Sequence, residues 1–345
     1  MGLIPETAFT VRKPAWWDNT GQFDLDYYPG REEAMRLAGH DWDIVEVEDW
    51  LKIPNEVLAN AGQEVNLNNG GVFRKAHGFK AHLRSDTLGL LHVSRDSFTR
   101  IPNSLAYDVA EWVLDNTGFQ YQCGISMDDG KQNALTLVLD EPIQVPGDRA
   151  LIFPLVALSW CHDGTGALKL RSTSIRNECQ NTVSASEAEA KAAGTDFTFR
   201  HTKNVKERIE EAREAIQGVG PAFDVFEEKM NELAAIEVTP EQRDLFVSAI
   251  VGDRDGKVSM SPIASDRVKN HVETERAKVN SLFFGSTIPE AHQLTGYGLH
   301  LAGVEYYDHL RAYRSKDSYV RRTLLNDNPA KANLAATIRE VALSA

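Results

Sequence analysis

LIFPLVALSWCHDGTGALKLRSTSIRNECQNTVSAS (residues 151–186), followed closely by FRHTKN (199–204), sets the architecture of this chain. Two apolar, alternating runs, Arg149–Ser159 and Ala167–Arg176, flank His162-Asp163-Gly164. The spacing predicts a β-hairpin with Gly164 at positive φ, since glycine alone enters that region without a Cβ penalty. Upstream, Phe119–Ser126 and Asn133–Leu139 flank Asp128-Asp129-Gly130 in the same way, which extends the hairpin to an antiparallel meander. Before it, Leu105, Val109, Trp112 and Val113 recur at helical spacing over Ser104–Asn116, and Gly118 stands just past the end. Further back, FKAHL and LGLLHVS read as two strands joined by Arg84–Thr87, and Asp43–Leu51 as another.

After Thr195 the pattern turns helical. Val205, Ile209, Ala212, Ile216, Val219, Phe223, Phe226, Met230 and Leu233 follow one another at alternating spacings of four and three, a heptad seam. Gly218, Gly220 and Pro221 kink or split it, and a helical hairpin is one outcome. Thr239-Pro240-Glu241-Gln242 opens a helix that stops near Gly252, Ser265 opens one ending at Gly285, and Asn328-Pro329 starts the last. Tyr297–Tyr319 reads as a helical stretch dense in Tyr and Arg, whose rings suit either a core or base stacking. The expected class is α+β: a β-meander with packed helices over 1–195, then long helices over 196–345, a boundary that one continuous domain also accommodates.

The chain has 345 residues, 42% hydrophobic and 25% charged, as globular proteins have. No apolar run spans a membrane and no secretory leader opens the chain, so a cytoplasmic location, in a bacterial host, is expected. Cys123, Cys161 and Cys179 give no disulfide framework. The net charge of −13 opposes generic phosphate coating. It is uneven: residues 1–60 hold five Lys/Arg against twelve Asp/Glu, while His162–Arg208 holds eight against six, which leaves room for a local basic groove.

No P-loop, H-E-x-x-H, G-x-S-x-G or C-x-x-C pattern occurs, and no G-x-G-x-x-G follows a strand. The chain therefore reads as a non-enzyme, with no catalytic residue, metal ligand or cofactor assigned. Cys161, His162, Cys179 and His201 are zinc-ligand types but do not fall into two close pairs. Arg176, Asn181 and Thr182 suit phosphate oxygens as well as they suit a turn or cap. Asn204, with Glu207 three residues on, is an N-cap pattern, and a helix start beside Arg200, Lys203 and Lys206 is also an anion site.

The motifs His-Asp-Gly-Thr (162–165), Arg176-x-x-Cys179-Gln180-Asn181-Thr182 and His201-Thr-Lys-Asn204, with LGLLHVSRDSFTRIPN (88–103), resemble a phage- and plasmid-like family, domain of unknown function 932. The resemblance is strongest from Leu88 to Arg213. One departure is Pro14-Ala15-Trp16-Trp17, where relatives carry Pro-x-Trp-His, which puts any role of that His in doubt here. The resemblance implies an affinity with Rad52-like single-strand annealing recombinases, which share a β-meander carrying long helices and assemble into rings or filaments.

The expectation is thus a recombination protein that binds and anneals single-stranded DNA as a homo-oligomer, ring or filament, without nucleotide hydrolysis. Lys169, Arg171, Arg176, Arg200 and Lys203 would contact phosphates, with Asn181 and Thr182 as hydrogen-bond donors. Further expected partners are a phage exonuclease or a host single-strand binding protein, with no membrane. The alternatives are an acidic accessory factor that binds a host protein and, behind it, a metal-dependent hydrolase.

Overall fold

The computed structural model describes residues 7–11, 23–61, 71–176, 182–183, 196–217, 222–251, 266–311 and 329–343. The meander is there: β6 (Phe119–Met127), β7 (Gln132–Leu139), β8 (Ile152–Cys161) and β9 (Leu168–Arg176) pair antiparallel in succession. Asp128, Asp129 and Gly130 all take positive φ in the first turn, and Gly164 does so in the last. Helix α3 (Asn103–Thr117) ends on Gly118 in the left-handed region.

The sheet reaches further than the meander. β1 (Thr7–Val11), absent from the sequence reading, lies antiparallel to β6 and parallel to β2 (Phe23–Leu25), so the order from β9 outward is β9-β8-β7-β6-β1-β2. At the other edge β9 pairs both β10 (Thr182–Val183) and β11 (Asp196–Phe199). Helix α1 (Arg31–Leu37) and α3 pack on one face of this sheet, with Phe9, Tyr121, Leu137 and Trp160 between them. Gly124 permits this approach: a Cβ there would lie 2.6 Å from both Ala38 and Phe9. The opposite face carries Ala8, Cys123, Ile125, Ala134, Thr136 and Ala157, also buried. Being covered on both faces, β6 to β8 run apolar without strict alternation.

A second sheet stands apart: β3 (Ile44–Pro54), which runs into the short helix α2 (Asn55–Asn60), then β4 (Gly71–Arg84) and β5 (Leu90–Arg95), with the strands in that order and antiparallel. Its β4–β5 turn meets the β6–β7 turn. Arg84 bonds Asp86 at 2.8 Å, reaches Asp129 at 3.4 Å and lies over the Trp42 ring at 4.6 Å.

The heptad seam is internal. Its residues fall on α4 (Val205–Glu211), α5 (Arg213–Gln217) and α6 (Ala222–Ala235), and Val205, Ile209, Ile216, Phe223, Phe226, Met230 and Leu233 are all buried in this chain's own core. Val219 lies outside the described residues, as do Gly218, Gly220 and Pro221. The Thr239–Gln242 capping box forms at the start of α7 (Pro240–Ile250). Helix α8 (Asp266–Leu282) packs beside α9 (Gly296–Glu305), which is buried along nearly its whole length and continues into a π-helical turn, Tyr306–Leu310. Tyr306 and Tyr307 are core residues, and the Tyr/Arg stretch beyond Arg311 lies outside the described residues. Among the described residues two further helices follow, α10 (Pro329–Ala332) and α11 (Leu334–Leu343). One continuous core joins Phe9 and Leu135 of the sheet to Phe246 and Ile338 of the helices. No described helix is long and apolar enough to cross a membrane.

Candidate nucleic-acid interface

The segment that ends at Asn103 and the turn that begins at His162 meet at one side chain. Asn103, the first residue of α3, is buried below the last turn of the meander. Its Nδ2 donates to the carbonyls of His40 (3.0 Å) and Trp42 (3.3 Å). Its Oδ1 accepts from Trp160 Nε1 and His162 Nε2, both at 2.8 Å. All four hydrogen-bonding positions of the amide are thereby used. Because the amide oxygen only accepts, His162 Nε2 carries the proton and Nδ1 is the bare nitrogen. Burial holds His162 neutral, with its pKa lowered to about 3. His40 behaves alike: Nε2 donates to the Ile125 carbonyl (3.1 Å), Nδ1 faces Tyr107 Oη (3.1 Å), and burial lowers its pKa to about 3.

Above this buried layer lies a ledge of flat rings. Phe98 and His201 stack at 4.5 Å with planes 16° apart, and His92 meets Phe98 edge-on at 5.6 Å. All three are half-buried. His201 Nδ1 donates to the Thr99 carbonyl at 2.9 Å, which fixes its ring plane, and burial lowers its pKa. Gly164 lies against His92, where a Cβ would stand 2.5 Å from Nε2. Asp163 Oδ1 accepts from the Thr165 amide (2.9 Å) and hydroxyl (2.6 Å), closing the turn.

The expected site residues divide around this ledge. Arg200 and Lys203 flank His201 in sequence and are exposed. Lys169 is half-buried on β9 and shares a face with Arg171, as the two-residue period requires. Arg171 does not offer an open cation: its Nε is 3.3 Å from Asp196 Oδ1, and the two side chains are only 13% and 5% exposed. This ion pair ties β11 to β9. Across β8 and β7 the same face is buried at Ala157, Ala134 and Thr136, so the wall expected there is open toward its β9–β11 margin. Arg176 ends β9 and Thr182 pairs with Ile175 in the edge strand, so Thr182 sits in a strand rather than a cap or turn. Their side chains, and Asn181 and Cys179 altogether, lie outside the described residues.

The helix start is also different from expectation. Asn204 occupies the N-cap position of α4, but its side chain caps nothing; its Oδ1 accepts from Thr202 Oγ1 at 3.0 Å. Helix α4 has seven residues and begins on buried Val205, so its dipole contributes little to an anion site. His162, read as a turn residue, does stand in the turn after β8 and is also part of the buried network. Among the described residues no three of His, Cys, Asp and Glu are placed to hold a metal ion.

Sequence reasoning missed His40, Trp42, Phe98 and Asn103. Asn103 was findable, because Pro102-Asn103 opens the predicted helix and a buried Asn at such a place needs partners. His40 carries no local signal.

No curated protein and no solved structure matches this chain. A family model described as "Domain of unknown function (DUF932)" matches residues 90–327, which takes in His92, Phe98, Asn103, the His162–Thr165 turn and the His201–Asn204 segment. On that match over more than half of its length, the chain belongs to the DUF932 family.

Proposed function

We propose that this protein binds single-stranded DNA at the Phe98–His201 ledge and anneals complementary strands as a homo-oligomer, ring or filament, in the manner of phage recombination proteins. The observation that carries the reading is the parallel Phe98–His201 pair beside exposed Arg200 and Lys203. Flat rings stack bases of any sequence, and adjacent cations take the phosphates. Annealing needs no nucleotide hydrolysis, in keeping with a chain that has no phosphate-cradling loop motif. Lys169 extends the cationic margin, and a phage exonuclease or host single-strand binding protein would supply or receive the strand.

Anisotropy of a labelled oligonucleotide, titrated with salt, tests it. With two principal phosphate contacts the slope of log K against log salt is about −1.4. Arg200→Ala with Lys203→Ala should flatten that slope, and Phe98→Ala should weaken binding with the slope kept. Absence of salt-dependent binding at low ionic strength refutes the reading.

A second reading, an accessory factor that grips a host protein, is favoured by one patch. Phe23 and Tyr27 are 41% and 49% exposed among Asp24, Asp26 and Glu32, an acidic rim around aromatic anchors. Capture of a host protein by the wild type and not by Phe23→Ala/Tyr27→Ala would support it.

A further inference from the structure

The small sheet is apolar on the side that faces away from the body. Directly paired residues share a face. Glu46–His82–His92 and Lys80–Ser94 therefore lie on one face, which His82 and Ser94 bury against the molecule. Val45–Leu83–Leu90, Val47–Ala81–Val93 and Phe79–Arg95 lie on the other. There Val45, Val47, Phe79, Leu90 and Val93 are each 37–54% exposed. An antiparallel sheet with water on one side shows polar residues there; this sheet instead turns its polar residues toward the body and its apolar ones outward. Monomers rarely leave open a contiguous apolar patch beyond about 300–600 Å² unless something binds it.

The charges at the two ends of this stripe name the occupant. Arg95 stands at one end, exposed and with no ion pair among the described residues. At the other, two residues before Val45 on the same alternation, is Asp43, exposed, with Oδ1 accepting from the Ile44 amide and no ion pair among the described residues. Six residues separate the two rows, about 20 Å at strand rise. A two-fold axis through the middle exchanges the ends. It sets Arg95 of each copy opposite Asp43 of the other, with the valines, Leu90 and Phe79 packed between two sheets about 10 Å apart. The surface is thus complementary to itself.

We infer that a second copy of this chain covers this face, sheet on sheet, and that the dimer is the unit from which any larger assembly is built. This rests on the homo-oligomeric part of the proposed function and not on DNA binding. An isologous contact closes on two copies, so a ring or filament would use a different surface for its next contact.

Light scattering coupled to size exclusion tests it on the full chain at micromolar concentration. The wild type should run at twice the monomer mass or a multiple of it. Phe79→Glu and Val47→Glu should halve that mass while leaving the circular dichroism and melting curve intact, since both side chains are exposed. Asp43→Arg and Arg95→Asp should each raise the dissociation constant at least tenfold, and the two together should restore it. A monomeric wild type overturns both this inference and the homo-oligomer reading. An oligomer that survives Phe79→Glu overturns the inference alone, as does failure of the double charge exchange to restore association.

Discussion

Asn103 holds four groups from two distant parts of the chain with one side chain. Asn103→Ala leaves two ring N–H donors and two carbonyls unpaired in the interior, which should cost about 3 kcal/mol or more in a urea titration. Asn103→Asp keeps the acceptor but turns a carboxylate on the His40 and Trp42 carbonyls, so it should not rescue. The neighbouring imidazoles set an acid limit. His40 and His162 take up protons near pH 6.5 when unfolded and only near 3 when folded. Their contribution is complete above about pH 6.5 and is lost as pH falls from there toward 3. By pH 5 the loss is about 2 kcal/mol for each histidine. His162→Gln, which keeps a donor for Asn103, should flatten the dependence of the urea midpoint between pH 7 and 5.

Elements with local signals were legible in the sequence and those made by distant pairing were not. Gly118 and the Thr239–Gln242 box mark helix ends because their chemistry lies within a turn of the boundary. The hairpins at Asp128–Gly130 and His162–Gly164 were readable for the same reason. β1 was not: five residues, TAFTV, acquire their state from β6, more than a hundred residues later. The candidate site shows the same division. Arg200 and Lys203 were visible as charges, but Arg171 finds Asp196 only once β11 pairs with β9. The ring ledge exists only where two distant segments meet, His92–Phe98 and His201. The seam's periodicity was visible, and its partner is the chain itself. Phe226→Ala should therefore cost about 3–5 kcal/mol of stability and leave the oligomeric mass unchanged. A second element depends on one ion pair. Lys331 Nζ is 2.8 and 3.1 Å from the two Asp308 oxygens, both residues buried, and joins α10 to the π turn. Lys331→Met removes the cation that touches both oxygens of a buried carboxylate and should cost about 3–5 kcal/mol, measured by thermal or urea unfolding.

For the whole molecule, a charge of −13 means that a strand of phosphates is repelled over most of the surface and held only beside the ledge. Binding should therefore be weak even at low ionic strength and only mildly sensitive to added salt, unlike that of a basic groove. The family match begins at residue 90, the first of β5, whereas the fold does not. β1, α1, β3 and β4 all precede it, as do the two carbonyls that Asn103 holds. A fragment started at Leu90 would leave the β6 backbone without its outer neighbour, an open template for any other strand in solution. Such a fragment should collect in inclusion bodies, and adding residues 7–89 back to the same chain should return it to the supernatant.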